Sequence, residues 1–319
     1  MKARRILITG GCGFIGRNLV DYLLARDYQI RVLDNLSVGT AEALAGREVE
    51  LIEGDIRDFA AALKASTGVH GVIHLAAQTG VMPSLEDPWL DYEVNVGGTL
   101  NMLRASVENK VNRFVFISSN APVGRQEPPI EEEKVPHPLS PYGASKLAGE
   151  GYCSAYHGSY GLGTVILRFA NAYGPRSTHK SSVVAKFIRR IKDGQPLTIY
   201  GNGRQTRDFI HVTDLCQAIH LALTADVSGE TFQIATGVET SVLELIELLQ
   251  VSLSDQDIRV AYEEPRPGEM MRNYSNIDKA RTVLGFNPTV DLRTGLAETC
   301  TWFFASETEP LINQEHHTK

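Results

Sequence analysis

The 319-residue chain has no unbroken apolar stretch long enough to cross a bilayer, which argues against a membrane-spanning helix. It also lacks a basic stripe. Its 31 Lys and Arg are outnumbered by 38 Asp and Glu, for a net charge of −7, and they are scattered along the chain. Nucleic acid and anionic membrane surfaces need clustered positive charge, so neither is an expected partner. Cysteine is sparse: four residues (Cys12, Cys153, Cys216, Cys300) form no C-x-x-C pair and find no histidine at zinc spacing, so no metal site is expected. The thiols read as reduced ones in a cytoplasmic protein. The first strand starts within a few residues of Met1, so no signal peptide is expected. No internal repeat or low-complexity tract occurs.

What is present is organised around Ile6 to Gly16, Ile-Leu-Ile-Thr-Gly-Gly-Cys-Gly-Phe-Ile-Gly. Three branched apolar residues fit a strand buried on both faces, and glycines follow at once. A helical pattern then places Phe14, Ile15, Leu19, Val20, Leu23 and Leu24 on one face. Strand, glycine turn and helix in that order make a dinucleotide site. Gly10 can take the turn's unusual angles, Gly13 lets the main chain approach a pyrophosphate, and Gly16 lets helix and strand pack closely. The helix N-terminus offers free N–H groups and partial positive charge. A second strand (Ile30 to Leu33) ends in Asp34, a carboxylate suited to the ribose hydroxyls and repulsive to a 2′-phosphate, which favours NAD over NADP.

At this length one large or two unequal domains sharing a cleft are expected. The loop from Asn35, containing Ser37 and Gly39, is suited to wrapping the adenosine, and Asp55 to meeting the adenine edge. Further strands are expected at Val49 to Ile52, Val72 to Leu75, Phe114 to Ile117, Val165 to Leu167 and Thr231 to Ile234. Leu75, Ala76 and Ala77 close the fourth, where small residues either leave space for a cofactor or simply pack closely. Asp91 to Glu108 reads as one helix with Asn95 near its start. Pro122 to Pro141 is too long and irregular for a simple connection and suggests a substrate-side excursion. The fold class is a Rossmann-type, doubly wound α/β sheet with a smaller C-terminal cap. Residues 1–170, with 208–235 returning to them, form the dinucleotide domain. Residues 171–207 and 236–305 form the cap, including a helix from Asp278 to Leu284, and 306–319 form a polar tail. The active cleft is expected between sheet and cap.

Tyr142 and Lys146, four apart at the start of a helix, share one face. A free tyrosine has a pKa of about 10, so a nearby cation is needed to favour its phenolate and let it serve as a base near neutral pH. A serine at the preceding strand end, Ser118 or Ser119, would orient the same substrate oxygen.

Taken together, Thr9 to Gly16, Asp34-Asn35, Gly54-Asp55-Ile56, His74 to Ala77, Asn95 to Thr99, Tyr142 to Lys146, Gly201-Asn-Gly203, Arg207 to His211 and Arg266 to Glu269 carry a resemblance across nearly the whole chain. It resembles the extended short-chain dehydrogenase/reductases, and within them the NAD-dependent sugar-nucleotide epimerases and dehydratases, most like the UDP-glucose 4-epimerases. The resemblance implies that Tyr142 is the catalytic base, that Lys146 holds the nicotinamide ribose, and that Phe14, Ile15, Asp34, Asn35, Asp55, Ile56 and Asn95 contact NAD. It implies further that Asn171, Val183, Thr198, Tyr200, Arg207 and Arg266 hold the nucleotide diphosphate of a UDP-sugar. Paired guanidiniums suit a diphosphate. A homodimer through helices flanking the sheet is likewise implied.

Two departures from the family pattern bear on function. The chain reads Ser118-Ser-Asn-Ala-Pro-Val-Gly124 and lacks the tyrosine that the family has before this glycine. Ser119 is the expected hydroxyl partner and Asn120 its rival. Dehydratases carry an Asp-Glu pair here, and Asn120-Ala121 offers no acid, which disfavours loss of water. Near the sugar's C2 substituent the chain has Asn273, smaller than the epimerases' tyrosine, so N-acetylhexosamines are expected to fit. The expected reaction is epimerisation at C4 of a UDP-hexose. The alternatives are a UDP-glucuronate epimerase or decarboxylase, another nucleotide-sugar enzyme oxidising C4, or an NAD-binding sensor or scaffold, which would need neither Tyr142 nor Lys146.

Overall fold

A computed structural model of the chain describes residues 4–265 and 270–305. In order come β1 (Arg5–Thr9), α1 (Phe14–Leu24), β2 (Gln29–Asp34), β3 (Val49–Glu53), α2 (Phe59–Ser66), β4 (Gly71–His74), the short helices α3 (Val81–Glu86) and α4 (Pro88–Tyr92), α5 (Thr99–Glu108), β5 (Arg113–Ser119), α6 (Pro141–Tyr160) and β6 (Gly163–Phe169). The later part comprises β7 (Asn171–Tyr173), α7 (Val183–Lys192), β8 (Leu197–Tyr200), β9 (Thr206–Arg207), β10 (Phe209–His211), α8 (Val212–Thr224), β11 (Glu230–Ile234), β12 (Thr240–Ser241), α9 (Val242–Ser252), β13 (Val260–Glu263) and α10 (Leu292–Ala305).

Seven strands pair in the order β11-β6-β5-β4-β1-β2-β3, every pair parallel. This is the expected Rossmann-type sheet. Alternation along β1 and β5 builds the two faces: Ile6, Ile8, Val115 and Ile117 join the core under α1 and α8, while Leu7, Phe114 and Phe116 join the core under α2, α5 and α6. The chain runs outward from β1 through β2 and β3, then returns to place β4 on β1's other side. That reversal opens a crevice beyond the C-terminal ends of β1 and β4, where ligands of such sheets bind. A separate core built from α7, α9 and α10, with Phe187, Leu245, Leu249 and Leu296 fully or nearly buried, forms the smaller cap.

Three segments differ from the sequence expectation. The helix expected over 91–108 is divided: Asp87 caps α4 by accepting Leu90 N–H at 2.9 Å, the chain widens into a π-helical turn at Glu93–Gly98, and α5 follows. The wider turn brings Gly98 against Ile56, whose Cδ1 would lie 2.5 Å from any added Cβ. The segment expected to finish the cap as a helix is a π turn at Ala280–Leu284, and Ala280, Leu284 and Phe286 pack into the sheet's core with α8 and β11. Finally, the cap is closed by α10, whose buried Leu296, Cys300 and Phe303 recur at helical spacing. Residues 122–140 contain no helix or strand, only isolated bridges of Gly124 to His137 and Ile130 to Ser275.

Candidate active site

The glycine turn is built as its residues require. Gly10 has φ +71°, and an added Cβ there would sit 2.8 Å from the Ala76 nitrogen. Gly13 takes the N-cap position of α1 with no side-chain cap, and an added Cβ would meet only the Gly10 carbonyl, at 3.3 Å. The first turn of α1 therefore faces open space with its N–H groups unclaimed by a cap, which fits a dinucleotide's pyrophosphate. Phe14 and Ile15 begin the helix, and Gly16 packs on Gly10 and Gly11. At the end of β2, Asp34 is nearly buried. Its Oδ2 accepts Cys12 N–H and its Oδ1 accepts Leu36 N–H, each at 2.9 Å, which leaves each oxygen a further acceptor position for a ribose hydroxyl. Asn35 bridges Ser37, whose hydroxyl it accepts at 2.7 Å, to Asp55 Oδ2 at 2.9 Å. Arg57 grips Asp55 in bidentate fashion and holds its carboxyl down to about 2. Gly39 abuts the turn at Cys12.

Beyond β4 the backbone of Leu75 and Ala76 is tied to Thr9, at 3.2 and 3.1 Å. Thr9 is itself held by His74, 2.8 Å away. His74 also reaches Thr99 at 3.1 Å, and burial pushes it down to about 3, so it is a neutral hydrogen-bonding strut. Asn95 lies in the π turn, almost fully buried. It exchanges bonds with the backbone of Gln78 at 2.9 Å each way and donates to Asp91 at 2.9 Å and Ser145 at 3.1 Å. Its amide thus couples the chain after β4 to α6.

Helix α6 starts with Ser140 accepting Gly143 N–H at 3.1 Å and Pro141 in the first turn. This fixes Tyr142 and Lys146 over the end of β5. Lys146 is 4% exposed and donates to the Ile117 carbonyl at 2.9 Å. Burial lowers its pKa to about 8, against the opposing pull of Asp91 and Glu150. Tyr142 is half-buried, and burial pushes its phenol up to about 12, with the Ser119 hydroxyl bond pulling the other way and Asp91 adding to the rise. In the protein alone the phenol is therefore raised rather than acidified: only the Ser119 bond opposes desolvation, and Lys146 is not among the groups acting on it. Ser119 faces the phenol, whereas Asn120 turns to Ser275 Oγ at 3.0 Å. Ser118 directs its hydroxyl to Glu150 Oε1 at 2.6 Å, into the interface with α6. Glu150 is also paired with Arg168 at 2.9 and 2.7 Å, both side chains buried.

On the cap side, Asn171 donates twice to the Asp208 carbonyl, from backbone at 3.0 Å and side chain at 3.1 Å. Val183 opens α7, and Thr198 and Tyr200 lie on β8. Tyr200 lines a cavity of about 700 Å³ with Arg125, Gln126, Gln205 and Met271. Arg207 reaches the Met270 carbonyl at 2.9 Å. Asn273 is 8% exposed, and its Oδ1 has no partner among the described residues. Arg266 lies outside the described residues. Two neighbours were not anticipated. Glu150 continues the Tyr142, Lys146 spacing by another four residues, and Asp91 stands four before Asn95. Both spacings were visible in the sequence as one helix face.

An open glycine turn, an acid closing β2 and a tyrosine–lysine pair after β5 together define a dinucleotide-binding α/β enzyme. The NAD dependent epimerase/dehydratase family model matches residues 6–235, and the chain belongs to that family. It is 39% identical over 303 residues to a putative UDP-glucose 4-epimerase of Methanocaldococcus jannaschii, spanning 93% of this chain and 97% of the relative. The UDP-glucose 4-epimerase of Thermotoga maritima, solved with UDP-glucose, superposes with a TM-score of 0.89 at 36% identity, covering 94% and 98% of the two chains. The UDP-N-acetylglucosamine 4-epimerase of Methanobrevibacter ruminantium, solved with UDP-N-acetylmuramic acid, gives 0.90 at 33%, covering 95% and 99%.

Proposed function

We propose that this chain interconverts UDP-hexoses at C4 of the sugar through a transient 4-keto sugar. NAD, when bound, supplies reversible hydride transfer. Tyr142 accepts the proton of the 4-hydroxyl as C4 is oxidised and gives it back when the ketone is reduced on its other face. Ser119 orients the same oxygen, and Lys146 holds the cofactor ribose with its buried ammonium. Phe14, Ile15, Asp34, Asn35, Asp55 and Ile56 surround the rest of the dinucleotide, with Asn95 positioning α6 behind it. Asn171, Val183, Thr198, Tyr200, Arg207 and Arg266 hold the UDP, leaving the sugar free to swing.

The observation that carries this reading is the meeting of Ser119, Tyr142 and Lys146 at one strand end with no carboxylate at Asn120-Ala121. Such a site can oxidise C4 but has no acid there to expel a neighbouring hydroxyl. The test is incubation with UDP-glucose, UDP-galactose, UDP-N-acetylglucosamine, UDP-glucuronate and dTDP-glucose, with products followed by NMR. UDP-glucose and UDP-galactose should interconvert. Release of water from dTDP-glucose, or turnover of UDP-glucuronate alone, would overturn the reading.

Acceptance of UDP-N-acetylhexosamines is a second reading, favoured by Asn273: it is smaller than a tyrosine, and its unpartnered Oδ1 can accept an N-acetyl N–H. Failure to convert UDP-N-acetylglucosamine while UDP-glucose turns over would refute it. We infer also a cytoplasmic homodimer. α5 and α6 pack side by side on one face of the sheet, α6 exposes Tyr152 and Tyr160, and all four cysteines are buried free thiols. Sedimentation velocity measures the dimer directly.

A further inference from the structure

The stretch from Gly174 to Lys180, between β7 and α7, is fastened along α1. Arg176 adopts φ +69°, a left-handed conformation costly for a residue with a side chain, so its surroundings must hold it there. Arg17 Nη2 donates to the Arg176 carbonyl at 3.0 Å, and Arg176 Nη1 donates back to the Arg17 carbonyl at 3.2 Å and to Asp21 at 2.7 Å. Asn18 donates to the Phe14 carbonyl at 2.8 Å and to that of Pro175 at 3.2 Å. The strap is thus stapled to the first two turns of α1, and the Lys180 N–H, donating to the Ser177 carbonyl at 3.0 Å, closes its final turn.

What the strap delivers is a cation. The Lys180 ammonium lies 5.4 Å from the centre of the Phe14 ring. Phe14 is the first residue of α1, whose N-terminus carries no side-chain cap. Lys180 is half-buried, and burial lowers its pKa with no anion opposing the shift. Among the described residues no carboxylate pairs with it. A positive charge drawn from water without a counter-charge costs free energy that an incoming anion recovers.

We propose that Lys180 is a further cofactor-binding residue, its ammonium reaching past Phe14 to the pyrophosphate of the dinucleotide. It adds a full, mobile charge to the partial charges of the α1 N–H groups. The proposal rests on the reading of the glycine turn as the NAD site. Its position on Phe14 assigns it to the cofactor's pyrophosphate rather than to the UDP of the sugar.

The test is calorimetric titration of cofactor-stripped protein with NAD, ADP-ribose and adenosine, and of NAD-loaded protein with UDP, for the wild type, Lys180→Met and Lys180→Arg. Lys180→Met should weaken NAD and ADP-ribose equally, by about tenfold or more for a lost charge-assisted bond, and leave adenosine and UDP unchanged. Lys180→Arg should stay near wild type. Unchanged NAD affinity in Lys180→Met, an equal loss in Lys180→Arg, or a loss confined to UDP would overturn the proposal. A wild type that binds no NAD would overturn the reading of the glycine turn itself, and this proposal with it.

Discussion

Replacing the buried lysine of the site should make the cofactor-free protein more stable while ending its activity. Lys146 is 4% exposed, and its pKa falls from 10.5 to about 8, chiefly because burial penalises the ammonium. A lysine with a lowered folded pKa binds its proton less tightly in the folded protein than in the unfolded chain. Between about pH 8 and 10.5 the unfolded chain carries the extra proton, so stability rises with pH across that window. Below about pH 8 the full burden applies, roughly 3 kcal/mol at 1.36 kcal/mol per pKa unit.

Lys146→Met buries a side chain of similar length without the charge. It forfeits the bond to the Ile117 carbonyl and part of the charge that opposes the upward shift of Asp91, so the net gain at neutral pH should be about 2 kcal/mol. Urea denaturation of stripped wild type and variant from neutral pH to above the upper end of the window measures it, and taking the difference cancels the titrating groups on which Lys146 does not act, Tyr142 included. The gap should close as pH rises through the window. A variant less stable than wild type at neutral pH, or a gap indifferent to pH, would refute the assignment of Lys146 as a desolvated cation retained for catalysis.

Three further outcomes are expected. Tyr142→Phe should abolish turnover with NAD still bound at wild-type stoichiometry, measured on the released nucleotide; substantial residual activity would remove Tyr142 from its role. Gly16→Ala, whose Cβ would sit 2.3 Å from the Gly10 carbonyl, should distort the glycine turn at a cost of about 1–3 kcal/mol and lower NAD affinity in direct titration. Glu150→Gln should destabilise the fold by about 3–5 kcal/mol by stranding the Arg168 charge, whereas Glu150→Leu with Arg168→Met should recover most of that loss in thermal unfolding.

The sheet was legible because a strand buried on both faces must be apolar throughout: Ile6-Leu7-Ile8 and Phe114 to Ile117 admit little else. Gly10 and Gly16 were legible because their positions tolerate no side chain, and Tyr142 with Lys146 because four residues make a helical neighbour. Interactions between distant segments were not. Ser118 and Ser119 are adjacent in sequence, and strand alternation sends one hydroxyl to Glu150 and the other to Tyr142. No local pattern says which faces the substrate. The acidity of Tyr142 escaped for the same reason: spacing announces a lysine on the same helix face but neither the burial that raises the phenol nor the Asp91 charge that adds to the rise.

Asp208 shows how far a short motif can act beyond what its spacing reveals. It stands between Arg207 and Phe209 in a motif whose resemblance assigned a role to Arg207 and none to Asp208, yet its side chain is fully buried. Its Oδ1 accepts the Thr236 N–H at 2.9 Å and hydroxyl at 2.7 Å, and its Oδ2 accepts Gly237 N–H at 2.9 Å and Ser275 N–H at 3.4 Å. Its carbonyl meanwhile holds Asn171. One residue therefore ties together the segment after β11, the irregular segment bearing Asn273 and Ser275, and the start of β7 at Asn171. Burial raises its pKa against those N–H bonds, so the cluster persists only because the donors are fully committed to it. Asp208 thus fixes where Asn171 and Ser275 lie relative to the chain leaving β11.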